Sequence, residues 1–352
     1  MTEIAASAKP RKAAVSFTGG KDSMTVTNLL LNASIALEAS KSWPEDVRDA
    51  WAGDLKSRLE TVAGCELAML VTFVPVGAPP FKAHPLEVMK LQAAALGLPH
   101  LVMEVSAAPT FLDSYHHNIT QLRTQHGVDV LVTGDMLDVC SSFMPRAAAG
   151  TGVQLLSPLW DINRRLLLEL VWAYGMEPVI TCVNVTKFVE PSKQQDKKED
   201  KREQDKQGAA GQQQGQGQQA GAEVCAAAVV TVGAGPAGAG GEDGDGAPGA
   251  DYAARLLGQP LSRQLHAELL LPAVERFGVD EAGEWGEYHT MVLASRLFHA
   301  SAAASAASSS GGDGGYGGRP PVQLVLGPHT PQREADYAYL THHGPPRLVE
   351  RQ

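Results

Sequence analysis

Ser16-Phe17-Thr18-Gly19-Gly20-Lys21-Asp22-Ser23 follows the apolar run Ala13-Ala14-Val15. It precedes residues 24–39, where Met24, Leu29, Leu30, Ile35 and Leu37 fall at helical spacing. A strand, a turn with two adjacent glycines and a helix together form a physical recipe for holding phosphate. Glycines let backbone N–H groups approach an anion with no Cβ in the way. The helix start adds unpaired N–H donors and positive dipole potential. Thr18 and Ser23 supply hydroxyl donors, Lys21 supplies charge, and Asp22 is suited to capping the helix or helping to hold Mg²⁺. The turn is not a Walker A loop, because G-x-x-x-x-G-K-[ST] is absent from it. A bare Gly-Gly turn would read as an ordinary capped helix start; the full hydroxyl-Gly-Gly-Lys-Asp-Ser string directly after the first strand favours phosphate.

The pattern continues outward from this turn. Residues 66–76, 100–105 and 129–134 read as strands, and residues 85–97 and 110–126 as helices, the first opened by Pro85 and closed by Gly97. Strands alternating with helices predict an α/β fold with a doubly wound parallel sheet. The nearly continuous apolar strands agree, since parallel strands are buried on both faces. Ligands in such sheets bind at the C-terminal ends of strands. Thr18–Ser23 and Gly134-Asp135 both sit at such ends, so they are expected to line one pocket. Asp135 and Asp138 are candidate Mg²⁺ ligands or N-caps.

Beyond Pro158-Leu159-Trp160 a helix is expected through about Tyr174, then a strand over residues 178–185. Residues 191–249 turn into Lys/Asp/Gln, Gln/Gly and Ala/Gly tracts, read as a disordered insertion. Residues 300–319 are a second low-complexity loop. Helical residues 262–276 and strands at 322–326 and 337–340 complete the expected fold. The domain reading is 11–165 for nucleotide binding and 166–345 for a second, smaller α+β domain, with the active cleft between them. Within the insertion, Gly233-Ala-Gly-Pro-Ala-Gly238 spells G-x-G-x-x-G, but the glycine- and acid-rich run after it will not hold the helix a dinucleotide site needs.

Composition narrows the function. The 352 residues carry a formal net charge of -10, with 44% hydrophobic and 19% charged residues. That balance disfavours a large nucleic-acid footprint and suits a small-molecule substrate or a basic partner. Cys65, Cys140, Cys182 and Cys225 are widely spaced, with no C-x-x-C, which points to a reducing compartment. A cytoplasmic location without a membrane span is expected, since no secretory signal or sufficiently long apolar run is visible.

Far downstream, Gly283-Glu284-Trp285-Gly286-Glu287-Tyr288-His289-Thr290 packs two carboxylates and an imidazole into six residues. Such a set suits amine recognition, proton transfer or metal binding; read alone it is also a solvated acidic loop. Glu284, Glu287 and His289 join Lys21 and Asp22 as candidate catalytic residues.

Thr18–Ser23 resembles the S-G-G-x-D-S pyrophosphate loop of the N-type ATP pyrophosphatases, with Thr for the first Ser. Within that group the chain resembles the diphthine–ammonia ligase family, through Val132-Thr133-Gly134-Asp135, Ser157-Pro158-Leu159-Trp160-Asp161 and the 283–290 stretch, similar to G-E-x-G-E-[YF]-[EH]-T. It departs from the usual pattern at Asp135, Trp285 and His289. The resemblance covers about residues 13–190 and 252–298. It implies a HUP-like PP-loop fold and an AMP-forming ligase using ATP and Mg²⁺. The nucleotide ligands would be Ser16, Thr18, Gly19, Gly20, Lys21, Asp22, Ser23, Gly134 and Asp135, with Asp22 and Asp135 at the metal. The implied reaction joins ammonia to a carboxylate, with diphthine on elongation factor 2 as candidate substrate. Alternatives are a loop enzyme with another substrate, such as tRNA modification through Cys140 and Cys182, or a non-catalytic adenine-nucleotide-binding module.

Overall fold

The computed structural model describes residues 9–77, 83–138, 141–190, 248–300 and 320–351. Residues 191–247 of the expected 191–249 insertion, the G-x-G-x-x-G string within it, and residues 301–319 of the expected 300–319 loop lie outside these. The chain divides into two compact units. The first comprises Met1–Thr18, Asp22–Val76 and Gly97–Ile162; the second comprises Gly19–Lys21, Gly77–Leu96 and Asn163–Gln352.

The first unit is built on five parallel strands: β1 (Arg11–Ser16), β2 (Cys65–Pro75), β3 (His100–Val105), β4 (Val130–Val132) and β5 (Gln154–Leu156). Their order is β3-β2-β1-β4-β5, so the winding turns back at β1. Ligands of open parallel sheets gather at such a reversal, outside the C-terminal strand ends. β1 is central, and Ala13, Ala14 and Val15 are fully buried, which accounts for its unbroken apolar run. Val71, Phe73, Ile119, Leu122, Leu131 and Phe143 share one core on this sheet.

Helices α1 (Lys21–Leu31), α2 (Ala33–Ser40), α3 (Glu45–Thr61), α5 (Phe111–His126) and α6 (Phe143–Ala148) accompany these strands. The helix expected over 24–39 is two helices. Asn32 interrupts it, its side chain accepting from Ser34 N at 3.2 Å and so opening α2 as an N-cap. α5 has the local signals its sequence promised: Thr110 Oγ1 accepts from Asp113 N at 3.1 Å, and Gly127 closes the helix in the left-handed region.

The second unit contains two antiparallel sheets. One has the order β10-β11-β6-β7, from β6 (Pro178–Asn184), β7 (Tyr288–Val292), β10 (His329–Glu334) and β11 (Tyr337–His342). The other has the order β12-β9-β8, from β8 (Ala294–His299), β9 (Pro321–Val325) and β12 (Arg347–Glu350). Helix α4 (Leu86–Leu96) packs on β8, β9 and β12. α7 (Arg164–Ala173) falls where a helix was expected, whereas α8 (Pro248–Leu256) was not expected and starts inside the range assigned to the insertion. The helix expected over 262–276 is composite: α9 (Arg263–Leu265), a π-helical turn (His266–Leu270) and α10 (Leu271–Phe277). Among the described residues, no helix is long and apolar enough to cross a membrane.

Candidate functional site

β1 delivers the loop at the reversal of the sheet. Phe17 N donates to Val71 O at 2.7 Å, extending the pairing one residue past β1. The chain then bends back, with Thr18 N donating to Ser23 Oγ at 3.3 Å and the two hydroxyl oxygens 3.2 Å apart. Both hydroxyls therefore sit together at the start of α1, where the first helical N–H groups have no intrahelical acceptor. Asp22 lies in the first turn of α1, a position that favours a carboxylate.

Gly134 packs against this turn from the end of β4. A Cβ placed on it would stand 2.8 Å from Asp22 C and 2.9 Å from Ser23 N, both backbone atoms. Neither can swing aside as a side chain would, so only glycine permits the approach. Gly134→Ala is expected to destabilise the protein by about 1–3 kcal/mol through overpacking. Urea unfolding would measure this, and a variant as stable as the parent would show that the turn can give way.

Gly19–Lys21 is held by residues distant in sequence. Gly19 has φ +75° and its carbonyl accepts from Gln92 Nε2 at 2.9 Å and from Val292 N at 3.0 Å. Gln92 Nε2 also donates to Val292 O at 2.7 Å, so one buried amide ties α4 and β7 to the glycine turn. Lys21 N donates to Thr290 Oγ1 at 3.2 Å. The Lys21 ammonium, on a side chain only 6% exposed, lies 2.7 Å from Glu284 Oε1. The two motifs read separately in the sequence, around residues 19–21 and 284–290, are thus in direct contact.

His289, on β7, belongs to the same group. Its ring meets His84 edge to face, with centroids 5.8 Å apart. Both rings are partly exposed at the surface yet closely packed by protein. Burial, then His289, then Lys21 push the His84 imidazole down to about 3. Burial, then Lys21, push His289 down to about 4. Both are therefore neutral imidazoles near neutral pH, because desolvation and a neighbouring cation each disfavour the charged form.

Glu287 occupies a different place. Its Oε1 accepts from Asp280 N at 3.2 Å and its Oε2 from Trp285 N at 2.8 Å. The side chain closes the 280–287 turn from inside and holds Glu284 and Trp285 in place. Tyr288 OH donates to Glu281 O at 2.7 Å across the same turn. Gly283, at φ +79°, lies where a Cβ would come within 2.9 Å of the Tyr288 ring. The 283–290 stretch therefore encodes a turn. Glu281 in turn meets His266 Nε2 at 2.5 Å, while Arg165 Nη1 lies 2.9 Å from His266 Nδ1. An arginine can only donate, so Nδ1 accepts and the Nε2 proton points to Glu281.

Asp135 is exposed, and its charge is felt by the buried Tyr115 hydroxyl, which burial first and Asp135 second push above its usual range. Asp138 accepts from Ser142 N at 2.6 Å and from Ser142 Oγ at 2.9 Å, closing the turn that leads into α6. Asp138 is not the N-cap of α6, which is Ser142; its contacts brace the residue that precedes the helix. Cys182 is buried in β6, whereas Cys140 lies outside the described residues.

Among the described residues, no group of three or more His, Cys, Asp or Glu side chains is placed to hold a metal ion. A resident metal centre does not fit that donor set. A magnesium ion carried by a polyphosphate does, because Mg²⁺ keeps several waters and takes one or two carboxylates together with phosphate oxygens. Asp22 is the carboxylate of the turn itself.

Gln92 and His84 were not among the residues singled out from the sequence. Gln92 had a signal, as the one uncharged polar residue of the helix Leu86-Glu-Val-Met-Lys-Leu-Gln-Ala-Ala-Ala-Leu96, on the side away from the exposed Glu87 and Lys90. His84 had only its place before Pro85.

No family model matches the chain, and no curated protein matches it.

Proposed function

We propose that this protein is an AMP-forming ligase of the N-type ATP pyrophosphatase class, with a HUP-like first unit, that activates a carboxylate with ATP and joins it to ammonia. The observation that carries the reading is the Lys21–Glu284 contact, which joins the phosphate-loop motif to the downstream acidic signature. The polyphosphate lies along Thr18–Ser23, with the Thr18 and Ser23 hydroxyls and the backbone at Gly19 and Gly20 as donors. Gly134 allows the close packing that this turn requires. Asp22 would hold a Mg²⁺ ion brought in by the nucleotide, which would supply positive charge beside the leaving group. An oxygen of the substrate carboxylate attacks the α-phosphorus, the bond to pyrophosphate breaks, and an acyl-adenylate forms. The nitrogen of neutral ammonia then attacks the acyl carbon, AMP leaves, and the nitrogen gives up a proton. In this reading Glu284 receives that proton, and donors aimed at the leaving pyrophosphate stabilise its developing charge.

Diphthine on elongation factor 2 is the first candidate substrate and the cytoplasm the corresponding location. The test supplies purified protein with Mg·ATP, ammonium and diphthine-bearing elongation factor 2. AMP and pyrophosphate should appear in step with the amide. ADP and phosphate as products would reject the mechanism; AMP with another acceptor but not with diphthine would reject the substrate alone.

A further inference from the structure

Lys21 is a cation that is already balanced. Its ammonium pairs with Glu284 at 2.7 Å, with both side chains largely buried. Its backbone N–H is also committed, to Thr290 Oγ1. A polyphosphate arriving here meets an ion pair without net charge, plus a helix terminus worth about half a positive charge. Several negative charges brought to such a place need positive charge beyond that pair, and a Mg²⁺ ion carried by the nucleotide would supply only part of it.

His84 and His289 are placed to become that cation. Their rings stand edge to face at 5.8 Å, and Lys21 acts electrostatically on both. One hydroxyl fixes the pair: Thr181 Oγ1, on β6, donates to Ala83 O at 2.9 Å and lies 3.4 Å from His289 O. His84 Nδ1 is buried and, among the described residues, has no hydrogen-bond partner. A buried polar atom left in that state calls for an explanation. Imidazole suits the role because it is uncharged when the site is empty and a doubly donating cation once protonated.

We infer that His84 and His289 form a proton-coupled anion subsite, which takes up a proton from solvent when a polyphosphate binds at Lys21 and returns it when pyrophosphate leaves. This rests on the ATP reading and names the imidazoles that hold the pyrophosphate portion. Among the described residues, the titratable groups that act on the pair are Lys21 from α1, on both rings, and His289 from β7, on His84. Burial first, then neighbouring imidazole and ammonium charge, keep both rings neutral. An anion reverses the local field and raises both. A site that binds more protons when occupied binds its anion more tightly as pH falls.

The experiment is isothermal titration calorimetry of the full chain with inorganic pyrophosphate, in buffers of different ionisation enthalpy, at about pH 6 and about pH 8, either side of the ordinary imidazole value of ~6.5. The wild-type protein should take up protons beyond those carried by the ligand, a count that needs no variant. His84→Gln and His289→Gln keep a donor but cannot titrate. Each should take up fewer protons and lose about tenfold in affinity at about pH 6, with a smaller loss at about pH 8. Ligand protonation cancels between proteins at one pH. Wild-type binding without extra proton uptake, or variants that bind like the parent at both pH values, would overturn the subsite and leave the ATP reading standing. Failure of the wild-type protein to bind either ATP or pyrophosphate would overturn both.

Discussion

Glu287→Ala should destabilise the protein by about 2–5 kcal/mol, well above the usual point-mutant effect. The carboxylate is inside, on a residue 2% exposed, and each oxygen accepts a backbone N–H from the turn it closes. Charge-assisted bonds of this kind are worth about twice neutral ones. Truncation also leaves the amides of Asp280 and Trp285 without this acceptor, at a cost of up to about 1–3 kcal/mol for a buried donor and less at Trp285, which is 57% exposed. Glu287→Gln is a sharper probe: its amide nitrogen cannot accept, so one of the two N–H groups still loses its partner. The expected order of urea midpoints is parent, then Gln, then Ala, with the losses confined to the second unit. An alanine variant within about 0.5 kcal/mol of the parent would mean that the turn is held by Tyr288 and the glycines instead. The effect would also reach Glu284, which this turn carries to Lys21.

The sequence revealed elements whose signal is local and unbroken. β1, the glycine turn and the start of α1 are contiguous, and burial of β1 on both faces writes itself as Ala13-Ala14-Val15. α4 and α5 were legible for the same reason, each with a strong apolar face and a marked start or end. α3 was not read: over Glu45–Thr61 it buries Leu55 and otherwise shows a largely charged, solvated surface, so no helical period stands out. β5 is three residues long, and β10 has no buried position. Neither length nor alternation could announce them. β7 was read for its acidic motif rather than as a strand, though Tyr288, Thr290, Met291 and Val292 are buried.

The site divides in a similar way. Residues whose chemistry is displayed in a short motif, such as Lys21, Glu284 and His289, were visible. Residues recruited by tertiary contact, such as Gln92 from α4, were not, because nothing local states that a helix amide will cap a glycine carbonyl 73 positions away. Glu287 shows the complementary limit. Motif chemistry marks a carboxylate as reactive, whereas the fold spends both of its oxygens on backbone amides. Composition cannot tell a carboxylate that faces a ligand from one that braces the loop beside it.

Lys21→Met should lower ATP-dependent pyrophosphate release by about 10²–10³-fold, the usual cost of deleting one preorganised group that stabilises a developing anion. Methionine fills a similar volume, so packing around α1 changes little. Its main structural effect is to leave Glu284 without its cation, and removing one partner of a buried pair is costly. Two consequences separate that structural loss from the chemical one. First, Lys21 is among the causes that hold His84 and His289 low. Without it both should titrate higher, which histidine NMR would detect as a rise for His289 above about 4. Second, adding Glu284→Gln to Lys21→Met removes the stranded carboxylate, and double replacement of a buried pair is often close to neutral. The double variant should therefore recover stability relative to Lys21→Met while remaining as inactive. Should activity return along with stability, the ion pair would be a structural clasp. Should Lys21→Met alone keep its rate within about threefold, the charge that neutralises the leaving pyrophosphate must come from elsewhere in the turn.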